Sequence, residues 1–111
     1  MERPVKGDVV VVPFPFSDLS TVKRRPALVI ATPGGDDAIL CQITSRQVRD
    51  RYAVGITEMD FSEGTLQKPS NVRPNRLFSA RNNLIPYRAG HLNDPAVTSV
   101  VNRIIEILQA T

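Results

Sequence analysis

The side chains best suited to chemistry in this sequence are its arginines. Eleven of the fourteen basic residues are arginine. Its planar fork grips phosphate through two parallel hydrogen bonds and stacks on bases. The basic residues also fall in groups. Lys23, Arg24 and Arg25 stand together, and Arg46, Arg49 and Arg51 follow. Lys68, Arg73, Arg76, Arg81 and Arg88 occupy a stretch between Gly64 and Asn93 that contains no acid. The acids gather elsewhere, at Asp36 and Asp37 and at Glu58, Asp60 and Glu63. If the fold collects the basic groups, they form a patch for a polyanion; if it does not, they are a solvated basic face. The net charge of +3 is mild, so placement carries more information than the total.

Other chemistries are poorly provided for. One cysteine and one histidine fall short of the roughly four nitrogen or sulfur ligands of a zinc site, so no metal is expected. They also exclude any mechanism that needs two histidines. His91 has no serine or cysteine at a motif spacing, which argues against a Ser-His or Cys-His nucleophile. A structural hydrogen bond is its expected role. Cys41, inside an apolar run, is expected to be a small buried hydrophobe. Gly34-Gly35 is not followed by Lys-Ser or Lys-Thr, so it reads as a turn and not as a phosphate loop.

The elements that must position these residues are short. A chain of 111 residues, 41% hydrophobic and 23% charged, is expected to form one domain, 1–111, with a modest core. No apolar run approaches the roughly 20 residues of a membrane span. The charged start MERPVKGD and the short VVVV after it do not read as a signal peptide. A lone cysteine forms no internal disulfide, and the chain is expected to be cytoplasmic. Nine prolines and six glycines suit short strands and turns. Strands are expected at Gly7–Pro13, Pro26–Thr32, Ala38–Thr44, Tyr52–Thr57, Asn71–Ala80 and Arg88–Leu92. Gly34-Gly35 is expected to make a tight hairpin turn, and Pro74 a bulge or an edge. Phe14–Arg25 and the run MDFSEGTLQKPS read as loops, and Asn82–Ile85 as one helical turn. Asn93 or Asp94 caps a C-terminal helix with Pro95 in its first turn. Val97, Val100, Val101, Ile104, Ile105 and Leu108 give that helix an apolar face. Ile107 extends this face, so packing on the sheet and contact with a second subunit are both open. The sum is five or six antiparallel strands and one helix, a mostly-β or α+β domain.

Four blocks, GDVVVVPFPFSD, KRRPALVIAT, LCQITS and KPSNVRPNRLFS, occur in an order and spacing that resemble the MazF/PemK toxins of bacterial toxin–antitoxin systems. The resemblance runs from Gly7 to the C-terminal helix. It implies a compact, strongly twisted antiparallel SH3-like barrel with a C-terminal helix, assembled as a homodimer. It implies a metal-independent, sequence-selective endoribonuclease that cuts single-stranded RNA, often mRNA, and arrests growth. It needs no cofactor, and it implies a cognate antitoxin whose acidic disordered segment blocks the RNA groove.

Metal-free RNA cleavage uses the substrate's 2′-OH as nucleophile and leaves a 2′,3′-cyclic phosphate and a 5′-OH end. Arg25 matches the family's arginine before the second strand, and Thr44 its threonine closing the third. Arg25 lies nine residues before Gly34 and Thr44 nine after Gly35, so a symmetric hairpin makes them neighbours. Arg25 would then clamp the non-bridging oxygens and Thr44 add a hydrogen bond. Arg73 corresponds to an arginine that some PemK-type members use with an aspartate two residues on. Here that position is Asn75, which cannot act as a base, so either the protein relies on the Arg25 and Thr44 arrangement or Arg73 only binds phosphate. Asp18 is a possible substitute acid. Arg24 adds charge beside Arg25, Ser70 and Arg76 fall where the family contacts RNA, and Phe14 and Phe16 either stack on bases or seal the barrel end.

Two other functions are compatible with this fold. A non-enzymatic DNA-gyrase poison would be expected to carry a C-terminal tryptophan, and this chain ends IEILQAT without one. A catalytically degenerate nucleic-acid-binding member is kept open by Asn75.

Overall fold

The computed structural model describes residues 3–14 and 23–111. The expectations placed on Phe16, Asp18 and the Phe14 side chain lie outside what it describes. Strands β1 (Asp8–Phe14), β2 (Lys23–Ala31), β3 (Asp37–Thr44), β4 (Val54–Ile56), β5 (Phe61–Gly64), β6 (Ser70–Arg81) and β7 (Tyr87–Leu92) precede one helix, α1 (Asp94–Gln109). Three-residue 3-10 turns occur at Glu58–Asp60 and Asn82–Leu84. The strands form a single curled sheet in the order β4-β6-β3-β2-β1-β7-β5, every neighbouring pair antiparallel.

Alternation along the strands divides the sheet into two faces. Val9, Leu28, Cys41, Ile43, Ile56, Val72 and Leu92 line the first face, which α1 covers with Ala96, Val97, Val100 and Ile104. Val10, Val12, Ala27, Val29, Ala38 and Leu40 line the second, together with Ile85. Ile85 reaches the second face because of the connection from β6 to β7. The end of β6 lies beside the start of β3, with Arg81 opposite Asp37. The start of β7 lies beside the far part of β1, with Tyr87 opposite Val11. Residues 82–86 therefore run from one end of the sheet to the other across the second face, and Ile85 plugs into it.

Several expectations need correction. Among the described residues there are seven strands, not five or six. Phe61–Gly64 is not loop but edge strand β5, paired to β7. Its pairing depends on two glycines: a Cβ on Gly64 would collide with the Ala89 carbonyl oxygen, and one on Gly90 would lie 2.9 Å from the Phe61 ring. β2 begins at Lys23, so three residues read as loop are strand. The hairpin between β2 and β3 is wider than a two-residue turn. Its innermost pair is Ala31 with Ile39, and Ile30 bulges out of the ladder. Gly34 and Gly35 both have positive φ, 108° and 71°, which glycine adopts without steric cost.

The helix begins as expected. The Asn93 side chain accepts the Ala96 N–H at 3.0 Å, and Pro95 sits in the first turn. Its apolar face is only partly used: Ile105 and Leu108 are exposed. Ile105 lies about a third of a turn round from the line through Val97, Val100 and Ile104. Leu108 falls in the last turn, past the last buried position.

Candidate functional site

One end of the sheet gathers the start of β2, the end of β3 and the start of β6, which are adjacent strands. The β2–β3 ladder has Ala27 opposite Gln42. The same register carried two residues further sets Arg25 against Thr44. Arg25 shares its phase with Ala27 and Val29, and Thr44 with Leu40 and Ala38, so both belong to the second face. The bulge at Ile30 offsets the wide turn, which is why the symmetric count around the two glycines still gives the observed register.

Thr44 is mostly buried, and its surroundings orient its hydroxyl. The Thr44 Oγ1 accepts the Arg46 N–H at 3.1 Å, which leaves the hydroxyl's own hydrogen to donate. The Asn71 side chain, opposite Thr44 on β6, donates from Nδ2 to the Arg46 carbonyl at 3.2 Å. Arg46 is thus held through both its backbone groups, with its own side chain exposed.

β6 makes a large excursion at this end. Cys41 pairs with Leu77 and Ile43 with Val72, so Arg73, Pro74, Asn75 and Arg76 stand opposite the single residue Gln42. The expected bulge at Pro74 is present. Pro74 is fully buried and anchors the excursion, while Asn75 and Arg76 are exposed. The Arg73 Nε is buried and has no hydrogen-bond partner among the described residues. An orphaned donor of this kind costs about 1–3 kcal/mol unless an acceptor arrives.

The remaining predicted residues are placed less centrally. β2 pairs regularly with β1 from Lys23 to Leu28, so Arg24 and Arg25 point to opposite faces. Ser70 is buried, lies opposite Ile56 on β4 and donates its hydroxyl to the Lys68 carbonyl at 3.0 Å. It shares the phase of Val72 and faces the first core, away from Arg25. Among the described residues, none of Lys23, Arg24, Arg25, Arg46, Arg73 and Arg76 forms an ion pair. Their field is therefore open to an anion from outside.

The opposite end of the sheet is built around a buried acid. The Asp8 carboxylate lies 2.8 Å from His91 Nδ1, accepts the Val5 N–H at 2.9 Å and stands 3.4 Å from Arg88. Arg88 also pairs with Glu63 at 2.9 Å. Glu63 first, and Asp8 second, hold the guanidinium still more firmly protonated than an ordinary arginine. The expected structural hydrogen bond of His91 is the one to Asp8. Cys41 is buried, and burial pushes its thiol up to about 12, far from the range of a reactive cysteine. Among the described residues no group of three or more His, Cys, Asp or Glu side chains is placed to hold a metal ion. No helix among them is long and apolar enough to cross a membrane.

Comparison with known proteins agrees with this architecture. The model of the PemK-like, MazF-like toxins of type II toxin–antitoxin systems matches residues 5–108. The chain belongs to this toxin family. Among solved structures, it is similar to MazF from Deinococcus radiodurans, with a TM-score of 0.77, 18% identity and coverage of 97% of this chain and 98% of that one. It is similar to the Mycobacterium tuberculosis toxin MazF-mt6, with a TM-score of 0.73, 14% identity and coverage of 94% and 98%. A mycobacterial endoribonuclease in complex with its cognate antitoxin gives 0.75, 12% identity and 97% of both chains. At these identities the structures speak to the shared fold. No curated protein gives a significant sequence match.

Within this MazF-like toxin fold, three residues at the arginine end carry signals that composition did not reveal. Gln42 has the same phase as Thr44 and is half-buried opposite the β6 excursion. Asn71 and Arg46 frame Thr44. The first was legible as the residue two before Thr44. The other two depend on the β3–β6 register.

Proposed function

We propose that this toxin is an endoribonuclease that cleaves single-stranded RNA by attack of the substrate's own 2′-OH. The observation that supports the reading is the position of Arg25, Thr44 and Arg73 on three adjacent strands at one end of the sheet, with no ion pair to any of them among the described residues. A phosphodiester there would receive the Arg25 fork on its non-bridging oxygens and the Thr44 hydroxyl as a second donor. The unpaired Arg73 Nε offers a third. In the reaction the 2′-oxygen bonds to phosphorus and the P–O5′ bond breaks. The 2′ proton leaves to solvent, and the 5′-oxygen takes a proton from water. Arginine stays protonated in proteins, so Arg25 stabilises charge and does not act as a base. Asn75 likewise contributes no base. Arg24 and Arg76 attract flanking phosphates, and Ser70 holds the turn before β6.

The family membership supports the remainder of the reading. The active species is a homodimer in the cytoplasm, and a cognate antitoxin with an acidic disordered segment neutralises the arginine end.

The test is cleavage of a long single-stranded RNA in excess EDTA, with fragment ends mapped. Discrete cuts leaving 5′-OH ends, absent in Arg25→Ala, are expected. Intact RNA across varied sequences, with a folded protein, would overturn the reading, and trapped cleaved DNA in its place would indicate a gyrase poison.

A further inference from the structure

A cavity opens between the crossing segment and the paired residues Pro13 and Arg24 of β1 and β2. It has a volume of about 460 Å³ and is lined by Pro13, Arg24, Asn83, Leu84 and Pro86. This is within the range of roughly 300–1,000 Å³ typical of small-ligand sites. We propose that the cavity holds the nucleobase next to the phosphate gripped by Arg25, and that Asn83 reads the edge of that base. The inference rests on the ribonuclease reading and adds the residue that selects where the strand is cut.

The lining has the chemistry of a base pocket. Pro13, Leu84 and Pro86 supply apolar walls for the flat faces of a ring. Leu84 is 58% exposed, an uncovered large apolar side chain that a stacked base would shield. Asn83 supplies two donors and one acceptor, the set that pairs with a base edge. Arg24 supplies a cation for the adjoining phosphate, and no acid lines the cavity. Arg24 and Arg25 are consecutive on β2, so an RNA strand laid over the start of β2 meets the cavity wall at one residue and Arg25 at the next.

The reading group is also held in place. The Asn82 N–H donates to the Asp36 carbonyl at 2.7 Å, and the Ile85 N–H to the Asn82 carbonyl at 3.2 Å. Ile85 is buried in the second core. Asn83 and Leu84 therefore sit on a short arch fixed at both feet, and little ordering remains for binding to supply.

The experiment maps cut sites on a random-sequence RNA pool for the wild type, Asn83→Ala, Asn83→Asp and Leu84→Ser. Thermal melts and sedimentation are run on each protein. In the wild type one position flanking the cut is expected to show a strong base preference. Asn83→Ala should reduce discrimination at that position by about 10-fold, as for loss of one base-edge contact. Asn83→Asp should change which base is preferred there, because an acceptor replaces a donor. Leu84→Ser should weaken cutting of all sequences alike. An unchanged preference at every position in both Asn83 variants, with the wild type cutting normally, would overturn the base pocket and leave the ribonuclease reading intact. Loss of dimer in the variants with unchanged preference would overturn it in favour of an interface between copies. A wild type that cuts no RNA would overturn the ribonuclease reading and the pocket with it.

Discussion

The two ends of the sheet use the same residue types in opposite ways. At the Asp8 end an arginine and a histidine converge on one buried carboxylate, and a second acid completes the set. At the Arg25 end six basic residues stand without an ion pair among the described residues, and one guanidinium nitrogen is buried with no acceptor. Charge that is neutralised internally contributes to holding β1 and β7 together. Charge left open raises the potential outside the protein and stabilises nothing within it. The difference separates residues that maintain the fold from residues that await a ligand. That separation was not available from a count of arginines.

The largest effect should come from removing charge at the open end. Arg25→Ala is expected to lower RNA cleavage by at least about 10²–10³-fold with an unchanged urea midpoint. Arg88→Ala should do the reverse, leaving cleavage close to wild type while lowering the melting temperature. If both variants lost activity equally with no change in stability, the contrast between the ends would be wrong.

Asp8→Ala comes next. It leaves the Val5 N–H without its acceptor and removes the common partner of His91 and Arg88. A loss of about 1–3 kcal/mol in chemical denaturation is expected. Asp8→Asn keeps the shape and some of the hydrogen bonds, so it should lose less.

A smaller effect is expected from Thr44→Val, which keeps the volume but deletes the donor. Cleavage should fall by about 10-fold or more, and the Arg46 N–H loses its acceptor. Measuring rate at saturating RNA separates the two consequences, since a disturbed Arg46 also weakens binding.

The smallest and most specific effect concerns pH. Burial raises the Cys41 thiol from 9.0 to about 12 in the folded protein. Above pH 9 the unfolded chain releases this proton and the folded one does not. The stabilisation is complete below pH 9 and is lost as pH rises from there towards 12. Cys41→Ala should flatten this decline in denaturation curves taken between pH 8 and 11. At neutral pH the native thiol should resist alkylation.

How much of this was legible depends on how local the cause was. Gly34-Gly35 between two β-branched runs specified a hairpin, and with it the approach of Arg25 and Thr44. Asn93 and Pro95 specified the start of the helix from side-chain chemistry alone. β5 was not legible. Its residues are mostly exposed, and it is a strand only because β7 offers a partner and Gly64 and Gly90 permit close approach. Lys23–Arg25 read as loop because charged residues suit both a loop and a strand that ends in solvent. The opposed directions of Arg24 and Arg25 follow from alternation once β2 is extended to Lys23. Ser70 was expected among the RNA contacts, and its burial follows from pairing with β4, which no local pattern announces. Pro74 signalled an irregularity, but the length of the excursion from Arg73 to Arg76 is set by the β3–β6 register. The crossing of residues 82–86 and its cavity depend on the strand order, which no local pattern encodes.

The position of β1 between β2 and β7 has a consequence for the timing of synthesis. The hydrogen bond from His91 to Asp8 joins residues 83 positions apart, so the first strand made is completed by almost the last. Between Thr44 and Leu92 the ribosome adds 48 residues (92 − 44), which takes about 2–10 s at ordinary elongation rates. Throughout that interval both Arg25 and Thr44 already exist, but β1 has one open edge and Ile85 and α1 are not yet in place to cover the two faces. Chains cut short before β7 should therefore lack a stable sheet. The arginine end is complete only when the final third of the toxin has emerged, and a partner that binds during those seconds would meet unpaired strands before it met a finished sheet.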